Sequence, residues 1–286
     1  MRIAKHFLIV LFCSLIAACS LVKTGYNNTP ALTVWWLDDY LSFTLEQQAT
    51  LKRSLQKLHQ WHRQTQLPAY IDLLKSAQLS LARAEISTDE VCANLETIKA
   101  KVQTLQFESI PIIIELAPTL IDKQLQHFQR KLAERTQKWK KEWWQENKAE
   151  QLNARLEKAE DFSEDMYGDL SDAQLTQLKQ SLEQANIQPE ITYKEILRRD
   201  QNTYETLNTL RDNNLSAEEK QLLLKAGFAR LQNSPDAAYQ TYADAMTKHT
   251  CQTMANLHGS TTEKQKLHVK NWLAGYMNVM TELQTK

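Results

Sequence analysis

Two histidines on one stretch of chain come nearest, by type and spacing, to doing chemistry. His59-Gln60-Trp61-His62 sets two imidazoles three residues apart, on one face if the segment is helical. Such a pair can begin a metal site, but zinc asks for further ligands from elsewhere. The expectation is plainer: a surface and a partly buried histidine beside a core Trp61. Seven carboxylates crowd the chain at Glu157, Glu160, Asp161, Glu164, Asp165, Asp169 and Asp172, opposed only by Lys158. Their spacing does not fit a calcium loop, where oxygens alternate and a glycine turns the chain. They read as a solvated face plus acid at the start of the next helix. The sequence holds no His-Glu-x-x-His, no Gly-x-Ser-x-Gly, no Walker loop and no Glu-x-x-His. No catalytic residue, metal or cofactor is expected, and the anticipated role is non-enzymatic.

The four cysteines depend for their chemistry on where the chain resides. Arg2 and Lys5 precede an apolar run from Phe7 to Ala18. A bilayer span needs about 20 apolar residues, so this shorter run suits a signal peptide over residues 1–18. The run ends Leu15-Ile16-Ala17-Ala18-Cys19-Ser20. Ile16-Ala17-Ala18-Cys19 resembles the bacterial lipobox, which implies cleavage before Cys19 and lipidation of its thiol. In enteric-type sorting an Asp after the cysteine retains a lipoprotein in the inner membrane. Ser20 therefore implies the outer membrane, with the chain anchored at its periplasmic face. Several acyl chains anchor stably where one is marginal.

Cleavage would leave Cys92 and Cys251 as a pair in an oxidising compartment. The favoured reading is a disulfide, which in the chain-entropy model would contribute about 5 kcal/mol. Two buried thiols that never meet are the alternative. A metal site at Cys251 with His249 and His258 lacks a full ligand set. Loss of Arg2 and Lys5 would also leave 32 basic against 34 acidic residues, a net charge of −2. That balance gives no basis for nucleic-acid binding.

The elements that must carry these residues are helices. Five glycines and six prolines in 286 residues are too few for turn-rich β folds. Capping boxes recur at Thr44–Gln47, Ser87–Glu90, Ser171–Gln174, Ser216–Glu219 and Ser260–Glu263, each opening an apolar pattern of helical period. Ser234 before Pro235 marks another start. Ile110–Leu116, bracketed by Pro111 and Pro118, reads as a short buried helix or turn. The expected fold is all-α, a single domain over 37–286 of about ten helices with helical hairpins. The charged 119–167 region is read as one long helix or a helix pair. Residues 19–36 read as a lipidated tether, with Asn27-Asn28-Thr29-Pro30 a turn or extended chain. Trp35 and Trp36 could touch a partner or lie at the bilayer interface, where Trp is enriched. Plugging the first helix into the core is preferred for them, because aromatics bury large area.

Several motifs together resemble a family of uncharacterised, all-helical lipoproteins of proteobacteria. They are the segment at Cys19, Tyr26-Asn27-Asn28, Trp35-Trp36-Leu37-Asp38-Asp39-Tyr40, Trp61-His62, Leu67-Pro68-Ala69-Tyr70, Glu90-Val91-Cys92, Leu170-Ser171-Asp172-Ala173-Gln174 and Leu257-His258-Gly259-Ser260-Thr261-Thr262. The resemblance implies location and fold and brings no activity. Leu170–Gln174 also looks like the Leu-Thr-x-x-Gln motif of small periplasmic stress chaperones. The expected function is a lipid-anchored binding or scaffold protein with a protein or envelope partner. A chaperone-like client binder is the alternative, and an unrecognised envelope enzyme comes third.

Overall fold

The computed structural model describes residues 22–285, so the signal segment and Cys19 lie outside the described residues. Those described are helical throughout, with no strand among them. Helices α1 (Thr29–Leu41), α2 (Leu45–Trp61), α3 (Leu67–Ser80), α4 (Thr88–Glu108), α5 (Ile110–Leu116) and α6 (Asp122–Trp143) form a first half. Helices α7 (Lys148–Tyr167), α8 (Asp172–Gln184), α9 (Pro189–Thr209), α10 (Ala217–Gln232), α11 (Ala237–Gly259) and α12 (Glu263–Gln284) form the second. The charged 119–167 region is a helix pair, α6 and α7.

The halves follow one plan. The first helix of each half packs on its second and sixth: α1 on α2 and α6, α7 on α8 and α12. The second packs on the fifth in both. The third and fourth helices are exchanged between halves. Thus α3 lies on α12 and α9 on α6, while α4 lies on α11 and α10 on α5. The exchange joins both halves into one body. Each half has its own apolar centre: Leu41, Leu51, Leu125 and Phe128 in the first, Tyr167, Leu178, Val269 and Leu273 in the second. Each such leucine contributes about 1.5–3 kcal/mol by leaving water.

Helix starts and stops repeat the plan. The first helix of each half ends on a residue with positive φ, Ser42 (46°) and Gly168 (78°), the only two among the described residues. A Cβ on Gly168 would meet the His268 ring, so glycine is required there for space as well as for φ. Capping boxes at Thr44–Gln47, Ser87–Glu90, Ser171–Gln174 and Ser216–Glu219 form as the sequence indicates. The expected box at Ser260–Glu263 instead forms at Thr262–Gln265, because Ser260 closes the preceding helix. Asp236, not Ser234, caps α11.

Glutamine rather than glutamate stands at N3 where two helix starts meet in the interior. Gln47 and Gln124 face each other, as do Gln174 and Gln265, and all four are buried. In the second pair, Gln174 Oε1 accepts from the Ser171 N–H (2.9 Å) and Gln265 Oε1 from the Thr262 N–H (3.0 Å). Their Nε2 groups donate to each other's oxygens (3.1 and 3.0 Å) and to the carbonyls of Ser260 (3.2 Å) and Asp169 (3.0 Å). Gln47 and Gln124 repeat this with the carbonyls of Thr119 (2.8 Å) and Ser42 (3.0 Å). Only an amide can both accept and donate here. The exposed boxes at Ser87 and Ser216 use glutamate instead.

Two expectations for the N-terminal region are corrected. The tether reading fails for the described part, since 22–27 are helical and lead almost without a break into α1. Asn28 N–H donates to the Thr24 carbonyl and Leu32 N–H to the Asn28 carbonyl. Pro30 sits in the first turn of α1, where its missing N–H costs nothing. Trp35 and Trp36 are not core residues. Val34, Leu37 and Leu41 take the inward face of α1, leaving Trp35 73% and Trp36 52% exposed.

Candidate functional site: a basic groove at the α2–α3 kink

Pro68 lies near the start of α3 and cannot donate to the helical ladder. The chain passes it through a π turn over His62–Gln66, with the Leu67 N–H bonded to the His62 carbonyl. Single π turns often mark functional sites. This one carries His62 and Arg63 towards the helical segment that precedes α1.

Tyr26 fills the angle. Its hydroxyl lies 3.0 Å from His62 Nδ1, and its ring centre is 4.6 Å from that of His59. The His62 ring also meets Tyr70 edge-on at 5.4 Å. Arg63 lies against the Tyr26 ring and donates to Asn27 Oδ1 at 2.7 Å. Leu67, Val279 and Leu283 form the apolar floor beneath, with Tyr26 and Tyr70 packed on it. Trp61 is partly buried, not core, and His59 is partly buried as well, not a surface residue.

Burial lowers the pKa of His59, and the Arg63 charge lowers it further against a contact with Tyr26 that raises it. Burial also lowers His62, helped by His59. Both rings are therefore neutral at pH 7, and burial raises the Tyr26 phenol. His59 Nε2 is buried without a hydrogen-bond partner among the described residues. An open groove of 550 Å³ runs past these side chains, lined among others by Asn28, Ala31, Lys52, His59 and Arg63. Its fixed charges are cationic, and its other polar groups are Asn and Gln amides. Such a lining can hold an oxyanion. Among the described residues no three His, Cys, Asp or Glu side chains are grouped to hold a metal ion.

The other singled-out residues lie apart from this groove. Cys92 and Cys251 meet where α4 crosses α11, with Cα atoms 5.5 Å apart, the geometry of a disulfide. His249 bonds instead to the Ser181 carbonyl at 2.9 Å. His258 is buried between the Tyr167 hydroxyl and the Arg83 carbonyl, 3.0 Å from each. The acidic side chains between 157 and 172 are mostly exposed along α7, with Asp172 in the first turn of α8. Leu170–Gln174 is taken up by the Gln174–Gln265 contact. Tyr26, Lys52 and Arg63 were not singled out as site residues, because no local pattern marks a groove closed by segments thirty residues apart.

A family model described as a family of unknown function (DUF6279) matches residues 39–233, more than half of the chain. No curated protein and no solved structure gives a match.

Proposed function

Since the chain belongs to that family of unknown function, we propose from its own chemistry that it is a lipid-anchored binding or scaffold protein of the outer membrane's periplasmic face. The observation that carries this reading is the pairing of Cys92 with Cys251 across 159 residues. Such pairs persist in oxidising compartments, which agrees with export. The Ile16-Ala17-Ala18-Cys19 segment supplies the anchor. The exchanged helices give a rigid body, and the basic groove gives it a recognition surface near the chain's entry. An anchor raises the local concentration of that surface at the membrane.

In-cell crosslinking of living envelopes with mass spectrometry tests the proposal. A reproducible partner crosslinked through the α1–α2 side supports it, and an envelope preparation that yields none removes it. A client-binding chaperone is the second reading, favoured by exposed apolar side chains such as Leu79, Phe162 and Leu222. An aggregation assay with no suppression at equimolar ratio would eliminate that reading.

A further inference from the structure

The outward face of α1 carries large apolar side chains that no described residue covers, next to Asp39, which is paired with Lys131. Leu32, Trp35 and Trp36 are 51%, 73% and 52% exposed and lie at i, i+3 and i+4. On the opposite side of the same helix Pro30, Val34 and Leu41 are buried. Two tryptophans side by side on the solvent face are costly to leave in water.

The basic groove adjoins the N-terminal end of α1, where Asn28, Pro30 and Ala31 line it. Ala31 and Asn28 stand one and two turns before Trp35 on the same side of α1. Across from them Lys52 and Arg63 have no carboxylate within ion-pairing distance among the described residues. On this one side of the molecule, then, aromatic side chains adjoin unpaired cations. That combination fits the interface of an anionic bilayer, where Trp rings sit at headgroup level and cations meet phosphates. The described helical segment before α1 reaches back to Val22, three residues after Cys19. A lipidated Cys19 would thus keep the end of the molecule that carries the groove near the bilayer.

We propose that the α1 face and the adjoining groove form a membrane-docking surface, with Trp35 and Trp36 in the lipid interface and Lys52 and Arg63 on lipid phosphates. This rests on the anchored reading above. In the docked state the protein lies on its α1 side, and the rest of the body points into the periplasm.

The test uses the lipidated protein with vesicles of phosphatidylglycerol and phosphatidylethanolamine brominated in the acyl chains. Flotation with the vesicles reports the anchor alone. Tryptophan quenching reports the docking. Wild type should be quenched, and the W35F/W36F variant should lose most of that quenching, because the five other tryptophans are partly buried. K52Q/R63Q should reduce quenching in these vesicles and leave it unchanged in phosphatidylcholine. Flotation without quenching overturns the docking surface and leaves the anchor standing. Absence of flotation overturns both. Equal quenching of wild type and K52Q/R63Q in both vesicles overturns the role of the groove. A dimer in detergent that W35F/W36F abolishes would assign the face to a second copy and overturn the proposal.

Discussion

Gln174 and Gln265, side by side at the starts of two helices, donate to each other's amide oxygens while each still caps its own helix. The same relation between Gln47 and Gln124 in the first half makes it a fixture of the plan. Replacing the amide by a carboxylate removes the donor. Gln174→Glu leaves the Ser260 carbonyl without it and buries a charge. The expected loss is about 2–3 kcal/mol in urea unfolding, with a similar loss for Gln47→Glu. Glu219→Gln, in an exposed box, should change stability by less than about 0.5 kcal/mol.

Cys92 and Cys251 should give no free thiol in the unfolded, unreduced protein. Reduction, or Cys92→Ala with Cys251→Ala, should lower unfolding free energy by up to about 5 kcal/mol. Two titratable thiols in the protein taken from its compartment would contradict the bond.

Glu195 joins α9 to the entry of α11. It is almost fully buried and accepts from Arg198 (2.8 and 2.7 Å), Arg199 (2.7 Å) and Ser234 (2.9 Å). Burial pushes its pKa up, but these donors outweigh burial and hold it at about 2. A carboxylate with a depressed pKa stabilises the fold above its unfolded value near 4.3. That contribution, of order 3 kcal/mol, is lost as pH falls towards 2. Glu195→Gln should flatten the decline in stability between about pH 4.5 and 2, read by denaturant melts at each pH.

His258 adds an acid sensitivity of the same sign at higher pH, this time from a ring held neutral in the fold. Its Nε2 faces the Arg83 carbonyl and so carries the proton, leaving Nδ1 to accept from Tyr167. Burial lowers its pKa, a bond to the Arg83 backbone opposes this, and the Lys266 and Arg83 charges add to the lowering. The unfolded chain therefore binds the proton first. Stability is full above about pH 6.5 and falls as pH drops below it. His258→Gln can keep both hydrogen bonds without titrating. It should show a smaller loss between pH 7.5 and 5.5 than wild type.

The helical class was legible because helix starts announce themselves. Ser or Thr with Glu or Gln three residues on located α2, α4, α8 and α10 within a residue. The repeat was also written there, since the first and second halves each carry boxes ending in Gln, Glu and Gln, but Ile121 hid one of them by lacking a hydroxyl. The turn expected in Asn27-Asn28-Thr29-Pro30 forms at Asn28 alone, which is the N-cap of α1, while Thr29 and Pro30 already belong to the first helical turn. Trp35 and Trp36 were misplaced because their size argued for burial, while the 3.6-residue period of Val34, Leu37 and Leu41 had already taken the inward face. The groove was illegible, because Tyr26 meets His59 and His62 only through the packing of the N-terminal helical segment on the α2–α3 kink.

The anchored placement of this body is decided most directly by intact-mass analysis of the protein purified from outer membranes. The predicted result is a chain beginning at Cys19 and carrying acyl chains on that residue. A chain that begins elsewhere, or at an unmodified Cys19, would contradict it.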